Sequence, residues 1–204
     1  MSRYRGPVVK KSRALGVMLF EGGKSKQKAY EKKPYKPGEH GQKRFGQISE
    51  YAKQLREKQK AVNLYGISEK QSRKYYEQAS SHEGVTGVHY MILLERRLDN
   101  VIFRAGLAAT RPQARQMVSH GLVKINGHRS KTPSHLVKVG DKFEIRDKTK
   151  ASKLFEGLKD SKFEAPKWLS VDLKNLSGEV KDLPEKNDIE QAIDNQLITE
   201  FYSK

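Results

Sequence analysis

The chain has 204 residues, room for one large domain or two small ones with a buried core. Only 35% of them are hydrophobic and 32% are charged, with 41 Lys and Arg against 24 Asp and Glu for a net charge of +17. That is more charge than a self-contained enzyme of this size usually carries, and it points to a polyanionic partner, nucleic acid first. Cysteine is absent, which excludes disulfides and cysteine-based metal sites. No apolar run approaches the ~18 residues of a membrane span and no signal sequence follows Met1, so the expectation is a soluble, intracellular protein without a membrane partner.

The charge is unevenly placed. Residues 1–60 carry a net +12, residues 61–90 a net zero, residues 91–150 a net +8 and residues 151–204 a net −3. From 1 to 44 the chain is basic and broken by Gly6-Pro7, Gly22-Gly23, Pro34 and Pro37-Gly38. It reads as an extended basic arm that orders against phosphates. A helix is predicted over 48–64, with Tyr51, Leu55 and Val62 on its core face, stopped by Gly66. Ser68 to Gln71 form a capping box opening a second helix to about Ala79. A third follows over 87–105, its apolar residues Tyr90, Leu94, Leu98, Val101, Ile102 and Ala105 at helical spacing, with Gly106 as its stop.

Thr110-Arg111-Pro112-Gln113 is a second capping box, with proline in the first turn, and opens a fourth helix that ends at Gly121. The period then changes to two. Leu122 to Gly127 alternate, Asn126-Gly127 suits a tight hairpin turn, and Gly140-Asp141 precedes a strand over 142–146. After 148 the chain reads as helix over 151–158, a short buried strand over 168–172 with Trp168 as a packing residue, and a last helix over 189–198. The fold class is α+β: an extended basic arm (1–44), a mainly helical lobe (45–90 with 151–204) and a helix-helix-hairpin module (91–150).

Cations spaced for phosphate binding are the candidate site. Arg111 and Arg115 are four residues apart and so share a helix face, opposite Ala114, Met117 and Val118. A guanidinium fork grips phosphate oxygens in pairs, and a helix amino terminus adds unpaired amides. Arg96 and Arg97 fit either an RNA contact or an internal pair, Arg97 with Asp99 or with an acid of the tail. His120 fits either a helix cap or a contact. Lys53, Arg56 and Lys60 form a stripe at spacings of three and four. Tyr4, Tyr35, Phe45 and Tyr51 lie among basic residues, as base stacking requires, although Tyr51 is expected in the core. The RNA-binding candidates are therefore Arg3, Tyr4, Arg5, Lys10, Arg13, His40, Lys43 and Arg44 in the arm and its end, with Lys53, Arg56 and Lys60 in the first long helix. In the module they are Arg96, Arg97, Arg111, Arg115, His120, Lys124 and Lys131. No catalytic residue, metal or cofactor is assigned, since phosphate-loop, dinucleotide and zinc-protease motifs are absent and the six histidines are not paired on a helix turn.

Glu95-Arg96-Arg97-Leu98-Asp99-Asn100-Val101, Thr110 to Gly121 and Val123-Lys124-Ile125-Asn126-Gly127 resemble, in order and spacing, the RNA-binding module named after small-subunit ribosomal protein S-four. Similar modules occur on pseudouridine synthases, a tyrosyl-tRNA synthetase type and a ribosomal-rescue protein. Met1 to Pro7, Pro37-Gly38-Glu39-His40-Gly41, Gln54 to Lys60 and Leu197 to Lys204 resemble further stretches of the ribosomal protein itself. Many members carry four amino-terminal cysteines that bind zinc or an iron-sulfur cluster; this chain has none, and Glu39 stands where glutamine is common. The resemblance implies a structural constituent of the bacterial small (30S) subunit in the cytoplasm. It also implies binding to the 5′ domain of 16S-type rRNA at a multi-helix junction and a part in early assembly. It further implies a place where messenger RNA enters, beside neighbouring small-subunit proteins, one of them sharing an interface that affects decoding accuracy.

Overall fold

The computed structural model describes residues 4, 6–19, 24–42, 48–155, 158 and 163–203. The chain folds as two compact units, residues 1–91 with 190–204 and residues 92–189. Helices and one small antiparallel sheet make it an α+β protein.

The first unit is helical. The arm, expected to lack regular structure, contains α1 (Val8–Leu15) and α2 (Lys24–Lys32). Pro7 precedes α1 and Gly16, at φ 75°, closes it, so the Gly and Pro residues delimit a helix here. The buried hydroxyl of Ser12 accepts from the Leu19 amide at 3.3 Å, and Lys11 bonds Asn63. Asn63 belongs to α3 (Glu50–Leu64), whose amino end is capped by Ser49 Oγ.

The face that α3 buries is not the predicted one. Gln54, Lys58, Ala61 and Leu64 are buried, whereas Tyr51 is 56% exposed, with the Phe201 ring 5.9 Å away between centroids. The core face is polar because its partner is polar: Gln54 Nε2 donates to Glu200 at 2.9 Å and Lys58 Nζ to Glu69 at 2.7 Å. Apolar periodicity is blind to such a face.

Ser68 caps α4 (Glu69–Ser80), and Asp194 caps α9 (Asn195–Tyr202) through the amides of Gln196 and Leu197. The last helix therefore begins at 195 rather than 189; Ile189 and Ile193 are buried in the turns before it. Ser72 Oγ joins Tyr90 (2.7 Å) and Tyr202 (2.8 Å), and Tyr202 donates to Glu69 at 3.0 Å. Burial pushes the Tyr90 phenol up to about 12 and also raises that of Tyr202.

Between α5 (Thr86–Glu95) and α9 the backbones meet at Gly87, where a Cβ would stand 2.6 Å from the Asn195 carbonyl oxygen. Gly87→Ala is expected to lower stability. Overpacking against backbone costs about 1 to 3 kcal/mol and outweighs a helix-propensity gain of up to ~1 kcal/mol. A melting midpoint equal to the parent's would show that the two helices separate freely.

In the second unit the helix predicted over 87–105 is broken. α5 ends at Glu95, Arg97 is extended (φ −66°, ψ 136°), and α6 (Leu98–Arg104) begins after it. At the break the backbone turns to another partner: Leu98 N donates to His135 O and Val137 N to Arg96 O. The apolar spacing continues through the break and hides it; Asp99 in the first turn of α6 was the available signal. Thr110 Oγ1 caps α7 (Arg111–Ser119) by accepting from Gln113 N, while Gln113 Oε1 accepts from Ala109 N at 2.9 Å.

Strands β1 (Val123–Ile125), β2 (His128–Ser130) and β3 (Lys142–Ile145) follow. Asn126 (φ 48°) and Gly127 (φ 79°) make the predicted hairpin turn. The segment 151–189, expected with the helical lobe, groups with this second unit instead. Its β4 (Leu169–Asp172) and β5 (Ser177–Val180) extend the sheet to the antiparallel order β2-β1-β3-β5-β4. Of the helix predicted over 151–158, residues 156 and 157 lie outside the described residues; Lys153–Phe155 form a 3-10 turn instead, after α8 (Asp147–Lys150).

Val123, Ile125, Phe143, Ile145, Leu169 and Val180 pack from the sheet's inner face against Leu98, Val101, Ile102, Ala114, Met117 and Val118 of the helices, and Trp168 and Phe155 close the same core. Burying each such side chain contributes roughly 1.5 to 3 kcal/mol, so this core fixes the position of α7 relative to the hairpin.

Candidate nucleic-acid interface

Of the predicted contacts, Arg3, Arg5, Lys43 and Arg44, with the stacking candidate Phe45, lie outside the described residues. In the first unit Tyr4 is 49% exposed and carries Lys11 Nζ 3.5 Å from its ring centre; Lys10 and His40 are exposed. Burial lowers the pKa of Lys11. Arg13 donates from Nε to Tyr35 O at 3.0 Å and lies over the Tyr35 ring. On α3, Lys53 pairs with Glu50 and Lys60 with Glu57, both at 2.6 Å, and Arg56 is half-buried. The stripe is therefore partly neutralised by its own helix.

The second unit corrects the predicted arginine face. Arg97 is fully buried and Arg111 is 9% exposed, so the Arg111 and Arg115 side chains do not form an exposed phosphate-gripping pair. Their helical spacing holds, but α6 packs on that face. Arg97 grips Asp99 in a fork, Nε to Oδ1 at 3.1 Å and Nη2 to Oδ2 at 2.7 Å, and Arg115 Nη1 reaches the same Oδ2 at 3.4 Å. Arg111 Nε donates to Asn100 Oδ1 at 3.0 Å and the guanidinium lies 4.5 Å from the Phe103 ring centre. Asn100 in turn donates to Glu95, which also receives Arg104 in a fork at 3.0 and 2.8 Å.

Arg97, Arg111 and Arg115 are thus brought together as an internal polar frame that joins the α5–α6 break to α7. Arg115, 20% exposed, is the member that reaches the surface. Arg96 donates to Val137 O at 3.0 Å, and burial lowers its pKa.

His120 is the exposed cap of α7, and Lys131 is exposed. Lys124 lies between Glu144 (3.1 Å) and Asp147 (3.3 Å), which raise its pKa. Hydrogen bonds from Lys150 and Lys124 hold the Asp147 carboxyl down at about 2. With a depressed folded value, the stabilisation from this surface cluster is present above the ordinary carboxylate pKa of ~3.9 and is lost as pH falls through about 2.

Two arginines that the sequence reading did not single out, Arg129 and Arg146, meet at the carboxyl end of α7, where both donate to Gly121 O. The alternation of the hairpin was the signal for Arg129, which stands opposite Lys124 in the β1–β2 register. Elsewhere on the outer sheet face an open groove of about 530 Å³ sets Lys142 among Glu144, Glu179 and Asp172, a surface that repels phosphate. Among the described residues no group of His, Asp and Glu is arranged to hold a metal ion, and no helix is long and apolar enough to cross a membrane.

Two helices followed by a hairpin and a third strand, with cations at the helix end, define a small module in the second unit, and the first unit is helical. Family models agree: "S4 domain" matches residues 96–143 and "Ribosomal protein S4/S9 N-terminal domain" matches residues 3–95. Relatives named small ribosomal subunit protein uS4 align over 100% of this chain and of their own length. They include those of Roseiflexus sp. (strain RS-1) at 46% identity, Chloroflexus aurantiacus (strain ATCC 29366 / DSM 635 / J-10-fl) at 47% and Caldicellulosiruptor saccharolyticus at 45%. The chain belongs to the uS4 family of small ribosomal subunit proteins, structural proteins of the ribosome rather than enzymes.

Proposed function

We propose that the protein is an rRNA-binding structural constituent of the small subunit of the cytoplasmic ribosome. The observation that carries this is the end-to-end match to relatives named as small-subunit proteins. The charge of +17 supports it, because a basic surface of this size binds a dense polyanion such as RNA strongly. In finer detail, the protein binds the 5′ domain of 16S-type rRNA at a junction of several helices and acts early in subunit assembly. It lies near the point where messenger RNA enters and influences accuracy through a neighbouring small-subunit protein. Its RNA contacts include the exposed side chains of Lys10, His40, His120 and Lys131 and the surface-reaching Arg115. The arm residues Arg3, Arg5, Lys43 and Arg44 are proposed contacts on charge alone.

Hydroxyl-radical footprinting of small-subunit rRNA with the purified protein tests the reading. Protection is expected to concentrate in the 5′ domain around one junction. Protection spread evenly over the RNA, or none, would overturn the assignment.

A further inference from the structure

The arginines of the second unit are of two kinds. Arg97, Arg104 and Arg115 are each ion-paired with Glu95 or Asp99, and Arg111 is bonded to Asn100. Arg96, Arg129 and Arg146 form no ion pair among the described residues and bond main-chain oxygens, and of these Arg129 and Arg146 share one oxygen. Arg129 donates from Nε to Gly121 O at 3.0 Å and from Nη2 to His120 O at 2.9 Å, while Arg146 Nη1 reaches the same Gly121 O at 3.4 Å. Two guanidiniums therefore converge on one carbonyl at the end of α7.

Two like charges this close repel. The partial negative charge of a helix end, about half an elementary charge, offsets only part of it. The nearby carboxylates of Glu144 and Asp147 are occupied by Lys124 and Lys150. A net positive pair without an ion-paired carboxylate remains, and its donors are not exhausted. Of the five N–H groups of each arginine, Arg129 commits two and Arg146 one to the protein. Anchoring one edge of a guanidinium on carbonyls holds the side chain in place and leaves its other N–H groups available, at the exposed Arg129 and the half-exposed Arg146, to grip phosphate oxygens with little loss of side-chain entropy. The residue at 121 also fits: a Cβ there would collide with Arg129 Nε, so glycine keeps the seat open.

We propose that Arg129 and Arg146, seated on the terminal carbonyls of α7, form a phosphate-binding pair for the RNA backbone. The proposal rests on the RNA-binding reading above and adds to it two contacts outside the residues predicted from the sequence.

The test uses the full chain, a transcript of the 5′ domain of small-subunit rRNA, and the variants Arg129→Ala, Arg146→Ala, their double and Arg129→Lys. Affinity is measured over a salt series, with the melting midpoint of each variant alongside. Each alanine variant is expected to bind roughly tenfold more weakly with a salt slope shallower by about one, and the double by about two, at unchanged midpoints. Arg129→Lys is expected to restore the slope but only part of the affinity, since an ammonium keeps the charge and loses the fork. A parent with a steep slope and a double variant equal to it would overturn the pair alone. Affinity lost at an unchanged slope with a lowered midpoint would assign both residues a purely structural role and overturn it as well. A parent with little salt dependence would instead overturn the RNA-binding reading on which the pair depends.

Discussion

Asp99→Ala is expected to destabilise the second unit by about 3 to 5 kcal/mol, the range found when one partner of a buried ion pair is removed. Asp99 is 5% exposed and accepts from Nε and Nη2 of the fully buried Arg97, from the Arg115 guanidinium and from the Asn100 amide. Truncation leaves the Arg97 charge in a low-dielectric interior without its carboxylate, and that desolvation cost dominates the hydrogen bonds lost. Since a domain's total stability is about 5 to 15 kcal/mol, a large part of it is at stake. Asp99→Asn keeps an acceptor and is expected to cost less. The double variant Arg97→Met with Asp99→Leu removes both charges and is expected to recover most of the loss, because replacing a whole buried pair by apolar groups is often neutral. Denaturant midpoints of the three variants decide it; an Asp99→Ala protein within ~0.5 kcal/mol of the parent would show that Arg97 is solvated through another route.

This buried frame is also where the sequence was least legible. Arg97, Arg111 and Arg115 carry the same letters whether they face phosphates or Asp99 and Asn100, and helical spacing says which residues share a face, not what covers it. The face of α3 was misphased for a related reason: Gln54 and Lys58 are buried because Glu200 and Glu69 come from distant segments to meet them. Where the signal is local, the reading held. Thr110 and Ser68 cap the helices expected of them, and Asn126-Gly127 turns the hairpin. The two strands after 168 were only half legible. Leu169 to Asp172 has strand composition, but Ser177-Gly178-Glu179-Val180 does not, and it becomes β5 because the edge of β3 offers it hydrogen bonds. Tertiary pairing, not propensity, moved the segment 151–189 into the module's unit.

RNA binding is expected to weaken steeply with salt, by about three to four orders of magnitude between 50 and 200 mM. The basis is the number of cations left over once the protein's own pairs are made. Lys53, Lys58, Lys60, Arg73, Arg97, Arg104, Arg115, Lys124 and Lys150 are each held by a carboxylate of the chain, so phosphate binding falls mainly to other cations. If about eight phosphates are neutralised, as is ordinary for an interface of this charge, counterion release gives a slope of log affinity against log salt near −6 to −7. Cations already paired release fewer counterions than bare ones, which sets the upper limit on the slope below the formal charge. Filter binding of the full chain to a 5′-domain transcript at five or more salt concentrations measures it directly. A slope shallower than about −2 would mean that phosphates are not what the basic surface recognises, and RNA contact would then have to rest on base stacking by side chains such as Tyr4 and Tyr51, both of which are exposed.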